Sequence, residues 1–286
     1  MKITEIACKS ALHHHQSKWL PFEWDLNVYR GCTHGCKYCY AMYSHSYIDN
    51  STTENYFRET FVKSNIVEQL AKELASPKWK GELINLGGVT DNYQHAEAKY
   101  KLMPDIWRLL IKHKNPVVIS TKSDLILRDY DLIAALARVA SVQIAVTVTT
   151  ADYGMQRLLE PGAVDADRRF IVLREFSKFT TTGLHMMPVI PYMTDCYDNI
   201  DSLMAIAASC KVSYVLPAIM NLRGATRQAF FDFLLKKQPA VQPEMLKLYG
   251  KDKTLMKAYK KKLYAVIRER MSHYGYGTIA KPSGYL

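Results

Sequence analysis

Short β-branched and apolar runs alternate along the chain with longer stretches in which apolar residues recur every three or four positions. The runs are Asp25–Tyr29, Glu82–Leu86, Pro116–Thr121, Val142–Thr149, Leu184–Ile190 and Val212–Leu216. Between them Ile66, Val67, Leu70 and Leu74 share one helical face, as do Ile106, Trp107, Leu110 and Ile111, the spacing of amphipathic helices. Leu132, Ile133 and Leu136, then Ile200, Leu203, Met204 and Ala207, repeat the pattern. Pro104 suits a first helical turn, where its missing N–H costs little. Alternation of strand and helix predicts an α/β fold, a parallel sheet with helices outside it. Val117, Val118 and Ile119 are apolar on both strand faces, as in strands covered on each side. A closed or partial (β/α) barrel of TIM type fits best, with an open doubly wound sheet as the alternative. In either fold, ligands bind at the C-terminal ends of the strands. The expected organisation is an N-terminal segment (1–23), the partial barrel (24–222) and a basic, helical C-terminal extension packed on the barrel (223–286).

Composition adds three constraints. The 286 residues can bury the core of one large domain. No N-terminal h-region and no long apolar stretch is present, so the expectation is a soluble, cytoplasmic protein without a membrane partner. The formal net charge is +11, with part of the excess in Lys251, Lys253, Lys257, Lys260, Lys261, Lys262, Arg268 and Arg270. Such a field favours polyanions, nucleic acid first, and a merely solvated helix face is the bland reading. Six cysteines without an export signal argue against a disulfide framework. His13, His14 and His15 read as a polar loop.

The sharpest signal is Cys32-Thr33-His34-Gly35-Cys36-Lys37-Tyr38-Cys39. Thiolates at this spacing can surround one compact metal centre, and sulfur suits iron–sulfur clusters and zinc. A structural zinc site needs a fourth ligand, for which His34 and His45 are candidates, and no second Cys-x-x-Cys pair completes a zinc ribbon. A cubane on Cys32, Cys36 and Cys39 instead leaves one iron open to another molecule.

Cys-x-x-x-Cys-x-aromatic-Cys, with Tyr38 as the aromatic, resembles the signature of radical S-adenosylmethionine enzymes. Asn27–Cys32, Tyr38–Ala41, Val89–Gln94 with Glu97, Thr121–Ser123 with Arg128 and Asp129, Glu160-Pro161 with Arg169, Pro188–Pro191 and Leu222-Arg223 are similar to the spore photoproduct lyase-related branch. The resemblance implies a partial (β/α) barrel with the cluster loop after the first strand. It also implies a [4Fe–4S] cluster that binds S-adenosylmethionine through its amino and carboxylate groups. One electron then splits the sulfonium, and a 5′-deoxyadenosyl radical takes a hydrogen atom from the substrate. A low-potential donor such as flavodoxin or ferredoxin is implied as partner.

By the same resemblance, Gly87, Gly88 and Thr90 meet the amino group of the cofactor. Lys122, at a strand end, can pair its carboxylate. Thr147 and Thr149 share one strand face and can reach the ribose, while Pro188 and Ile190 border the adenine through backbone groups. Tyr38 belongs to the cofactor-binding set as the motif aromatic. Tyr40 and Cys196 are catalytic candidates: the first packs beside the cluster or relays hydrogen atoms, and the second is a thiol donor or a helix start. The branch's hydrogen-donating cysteine is replaced by Val89, which argues against thymine-dimer lyase chemistry. Three functions stay open: a radical enzyme on nucleic acid or another anion, one on a peptide or small metabolite, and a non-catalytic metal-containing nucleic-acid-binding module. The cofactor residues count against the last.

Overall fold

The computed structural model describes residues 2–16, 20–47, 53–250 and 253–277. Lys251 and the end of the expected extension, 278–286, lie outside the described residues. The strands are β1 (Lys2–Ile6), β2 (Leu12–His14), β3 (Trp24–Leu26), β4 (Tyr29–Arg30), β5 (Glu59–Lys63), β6 (Ile84–Leu86), β7 (Val117–Thr121), β8 (Val142–Thr147), β9 (Thr181–Val189) and β10 (Tyr214–Ile219). The helices are α1 (Ile66–Leu74), α2 (His95–Tyr100), α3 (Met103–His113), α4 (Tyr130–Ala137), α5 (Tyr153–Leu159), α6 (Ala166–Phe176), α7 (Tyr197–Ser209), α8 (Gly224–Lys237), α9 (Gln242–Leu248) and α10 (Lys253–His273).

Strands β3, β6, β7, β8, β9 and β10 lie side by side in that order and all run parallel. This is a partial (β/α) barrel, left open because β10 is an edge and β2 pairs antiparallel on the far side of β3. Pro217 is tolerated in β10 because an edge strand has a free side, and the β9–β10 register shifts beside it. The histidine run is therefore not a loop: His13 and His14 lie in β2 opposite Asp25 and Trp24. A second small sheet, β1-β5-β4, gave no period long enough to be predicted. The predicted run Asp25–Tyr29 is split, because Asn27 turns the chain from one sheet to the other, its side chain accepting from the Val89 N–H at 2.9 Å.

The outer helices pack as their spacing requires. Ile66, Leu70, Ile106, Trp107, Leu110, Ile133 and Leu136 are fully buried. On β10 the outward Val215 and Ile219 are buried, while Tyr214, Leu216 and Ala218 are half-exposed to the barrel lumen. The lumen is thus open along this strand. After β10, α8 and α9 supply Phe230, Phe231, Leu234 and Met245 to an apolar cluster that contains Cys36, Tyr38 and Ile190. Leu263, Ile267 and Met271 of α10 enter the main core, and Lys257, Lys261, Lys262 and Arg268 face solvent. No helix among the described residues is long and apolar enough to cross a membrane.

One buried polar network joins β4 to the segments that follow β6 and β7. Glu97 accepts from the Tyr29 hydroxyl at 2.5 Å and pairs with Arg128 at 2.6 Å. Arg128 also pairs with Asp129 at 2.8 Å, and Asp129 accepts from the Tyr93 hydroxyl at 2.7 Å. Arg128→Met leaves two buried carboxylates without their cation, and we expect a loss of about 3 kcal/mol in unfolding free energy. A urea midpoint within experimental error of the parent protein's would contradict this.

Candidate active site

The Cys-rich loop follows β3 and β4 at the C-terminal end of the sheet, and its conformation is fixed by groups other than the thiols. Gln94 donates to the Gly31 carbonyl at 2.9 Å and accepts from the Thr33 N–H at 3.1 Å. The Thr90 hydroxyl donates to the same Gly31 carbonyl at 2.6 Å. His34 bonds Asp91 through Nε2 at 2.9 Å and contacts the Gly162 carbonyl through Nδ1 at 3.2 Å. That histidine is therefore committed to the loop's scaffold.

Asp91 is a hub. It accepts from the Thr121 hydroxyl at 2.9 Å, the Lys122 N–H at 2.8 Å and the Tyr93 N–H at 2.9 Å, besides its contact with His34. Burial alone would raise its pKa, but His34 and the N–H donors outweigh that and hold it at about 2. From the other side, the turn after α5 clamps the loop. The Lys37 N–H donates to the Leu159 carbonyl at 2.8 Å, and the Gly162 N–H donates to the His34 carbonyl at 2.9 Å. A Cβ on Gly162 would lie 2.2 Å from the Thr33 carbonyl oxygen, so only glycine permits this approach. Glu160 accepts from the Tyr38 hydroxyl and, at 3.3 Å, from that of Thr149. Arg169 approaches Glu160 at 2.6 Å, both fully buried, and donates to the Thr147 carbonyl at 2.8 Å and the Val164 carbonyl at 2.7 Å. The Glu160-Pro161-Gly162 and Arg169 segment thus braces the Cys-rich loop.

All six cysteines are free. Cys32 and Cys36 are buried and Cys39 is partly so. Burial raises the pKa of Cys32, and Asp91 and Cys36 add to the rise. Cys36 is pushed up to about 12 by burial, with Lys122 opposing and Glu160 and Cys39 reinforcing. Cys39 is raised by burial against the Ala41 N–H and Lys122. Each thiol lies in the field of another, and each stays protonated until a metal takes the charge. Among the described residues no three His, Cys, Asp or Glu side chains converge on a single ion. Three thiols that lie in one another's field are a donor set whose chemistry suits iron–sulfur ligation.

Around the loop, the Lys122 ammonium lies 5.7 Å from the Tyr38 ring centroid. Burial would lower its pKa, but Cys36, once ionised, and the Glu160 carboxylate outweigh that and raise it. Gly87 has φ +97°, and a Cβ on Gly88 would meet the Asp25 carboxylate at 2.8 Å. The Gly88 carbonyl accepts from Tyr40 and the Val89 carbonyl from Tyr56 at 2.7 Å, so Asp25 is the unanticipated charge beside this turn. Tyr40 keeps its ring exposed. Thr147 lies 3.4 Å from the Ser120 hydroxyl, and His185 Nδ1 lies 3.2 Å from it. His185 Nε2 is 3.2 Å from the Tyr214 hydroxyl. Burial, then Lys122, lowers the His185 pKa to about 3, keeping the imidazole neutral.

Other expected site residues fall differently. Thr90 and Thr149 turn their hydroxyls to Gly31 and Glu160. Ile190 uses its N–H with the Thr194 hydroxyl at 2.8 Å and its carbonyl with the Met193 and Thr194 N–H groups, leaving only its side chain for a ligand. Pro188 is half-buried and ends no such turn. Cys196 is exposed at the N-cap of α7 and makes no side-chain capping bond. Sequence reasoning misses His185, since a lone histidine in an apolar strand reads as core.

The radical SAM superfamily profile matches residues 26–204, which span β3 to α7 and include the whole Cys-rich loop. The chain belongs to the radical SAM superfamily. An uncharacterised protein of Mycobacterium tuberculosis is 34% identical over 273 residues, 94% of this chain and 78% of the relative. An uncharacterised protein of Methanocaldococcus jannaschii is 26% identical over 171 residues, 59% of this chain and 61% of that one. Among solved structures, spore photoproduct lyase with bound AdoMet and dinucleoside spore photoproduct superposes with TM-score 0.68, covering 96% of this chain and 79% of that one at 12% identity. At that identity the likeness establishes the fold alone, and it agrees with the partial barrel. Membership of the superfamily brings with it S-adenosylmethionine and an iron–sulfur cluster.

Arg169→Met leaves Glu160 buried without its cation and should cost about 3–5 kcal/mol. The double variant Arg169→Met/Glu160→Leu should recover part of that loss, because neither charge remains. Equal or greater destabilisation in the double variant, measured by urea unfolding, would show that the pair does not carry the brace.

Proposed function

We propose that this radical SAM protein is an enzyme holding a [4Fe–4S] cluster on Cys32, Cys36 and Cys39, and that it takes a hydrogen atom from an anionic substrate, nucleic acid by preference. The observation that carries the reading is the grouping of three non-disulfide thiols in one braced loop beside a half-buried lysine. When bound, the cluster supplies one electron and S-adenosylmethionine supplies a 5′-deoxyadenosyl radical. The protein's own residues bind, orient and shield.

Lys122 keeps its charge and answers the cofactor carboxylate. The Asp25 carboxylate, beside the open Gly87-Gly88 turn, attracts the amino group. Thr147 offers its hydroxyl to the ribose, while Pro188 and the Ile190 side chain form an apolar border for the adenine. Tyr40 covers the turn from above through its contact with Gly88. Tyr38, Thr90 and Thr149 act one step back, holding the loop through Glu160 and Gly31. The lumen beyond Thr147 is polar, with Ser120, the neutral His185 and Tyr214 able to hydrogen-bond an entering substrate. Walls of this kind keep a reactive carbon centre from water and stray donors. A low-potential carrier such as flavodoxin or ferredoxin is the reducing partner, and the basic surface suits an acidic one. Cys196 is assigned no step.

Anaerobic reconstitution should yield about four iron and four sulfide per chain. Alanine at Cys32, Cys36 or Cys39 should abolish that content, whereas alanine at Cys8, Cys196 or Cys210 should not. Stoichiometric zinc without iron in anaerobically purified protein overturns the reading.

The reduced protein should convert S-adenosylmethionine slowly to 5′-deoxyadenosine even without substrate. Lys122→Ala removes one charge-assisted contact and should weaken cofactor binding by roughly 1.5–3 kcal/mol, one to two decades in Kd. Unchanged affinity by equilibrium dialysis in a folded variant would place Lys122 outside the cofactor site.

A further inference from the structure

The C-terminal helices build a second concavity that the cofactor site does not use. Where β10 ends, Met220 and Asn221 meet Leu248, Tyr249 and Gly250 at the close of α9. Met256, Lys257 and Lys260 of α10 complete a cavity of about 440 Å³, within the size range of small-molecule sites. It opens at the same end of the sheet as the Cys-rich loop, beside the half-exposed lumen face of β10.

Its chemistry is specific in two ways. The walls are largely apolar: Met220 and Leu248 are buried, and the Tyr249 hydroxyl donates to the Met220 carbonyl at 2.6 Å, fixing the one aromatic ring on the lining. The charges on the lining are the ammonium groups of Lys257 and Lys260, and neither forms an ion pair among the described residues. Neighbouring Lys247 differs, being paired with Glu244 at 2.6 Å. A neutral metabolite would leave the two ammonium groups unanswered, and an inorganic anion would leave the apolar walls empty. A flat ring carrying a phosphate satisfies both.

Aromatic rings continue along the same end of the sheet. Tyr192, after β9, is exposed, with its ring centroid 6.0 Å from that of Tyr259 on α10. Tyr153, after β8, is exposed beneath the Arg157 guanidinium at 5.3 Å. Tyr259 in turn donates to the Asp195 carboxylate, so the rings and not the charge are what this stretch offers, and exposed rings stack unpaired bases, which duplexes do not present.

We propose that the cavity takes one nucleotide of a single-stranded nucleic acid, its base against Met220, Leu248 and Met256 and its phosphate on Lys257 and Lys260, while an adjoining nucleotide reaches the lumen. The inference rests on the nucleic-acid reading above and narrows it to unpaired strands.

The test is anaerobic fluorescence anisotropy on the reconstituted full chain, with a labelled oligothymidylate of about twelve nucleotides and a duplex of equal length. The single strand should bind at least about tenfold tighter than the duplex and weaken with salt. Lys257→Glu/Lys260→Glu should weaken it about tenfold or more. Met256→Trp, which fills the cavity without changing charge, should do the same, with Met256→Phe as the milder filling should the tryptophan variant fail to fold. Leu235→Trp, on the exposed side of α8, should bind as the parent does. Loss of binding in the lysine variant with none in the filled variants overturns the proposal, leaving only a charged surface. Equal duplex binding, or no binding at all, also overturns it. Substrate-free formation of 5′-deoxyadenosine in the same preparations is read separately, so a failed enzyme reading is not mistaken for a failed nucleotide subsite.

Discussion

Asp91 accepts hydrogen bonds from His34 in the Cys-rich loop, from Thr121 and Lys122 at the end of β7, and from Tyr93 in its own turn. A carboxylate buried this deeply is tolerable only when every donor is in place, since an unpaired buried charge costs several kcal/mol. The requirement runs both ways. Loop and strand end must sit where the carboxylate can be satisfied, so the distance between the thiols and the Lys122 ammonium is set by a residue that bonds Lys122 through its backbone N–H alone. Glu160 does the same from the opposite side, joining Tyr38, Thr149 and Arg169. Two buried anions, each with its own cation or donors, fix the Cys-rich loop before any cofactor is considered.

The barrel was legible because its period is repeated: short buried strands, three to nine residues long, and helices with one apolar face recur often enough to identify the layers. The Cys-rich loop was legible because three thiols in eight residues have few other uses. The small β1-β5-β4 sheet was not, since β4 is two residues long and β1 pairs with a strand more than fifty positions away. Ile190 shows a different failure. Its position beside a strand end suggested backbone contacts to a ligand, but the turn to Thr194 consumes both of its backbone groups. Local sequence does not show which carbonyls a turn will use.

The segment Glu160-Pro161-Gly162 illustrates why family likeness alone did not give a role. Its partners are Tyr38, 122 positions earlier, and Arg169 on the next helix. Nothing in either local sequence says that a glycine must be absent of side chain because the Thr33 carbonyl will lie against it. Once the fold brings them together, the segment reads as a brace, and Thr149 reads with it.

Most of the hydrogen bonds that shape the loop come from Gln94, Thr90, His34, Lys37 and Gly162, and Tyr56 adds one to the Cys39 sulfur. Shape and charge have separate origins in this loop. Burial keeps Cys32, Cys36 and Cys39 protonated, and Lys122 offsets it only in part for Cys36 and Cys39. A cationic centre is what makes three thiolates stable in so little water. The ligand set proposed for Cys32, Cys36 and Cys39 is therefore one whose charge a bound cluster would balance.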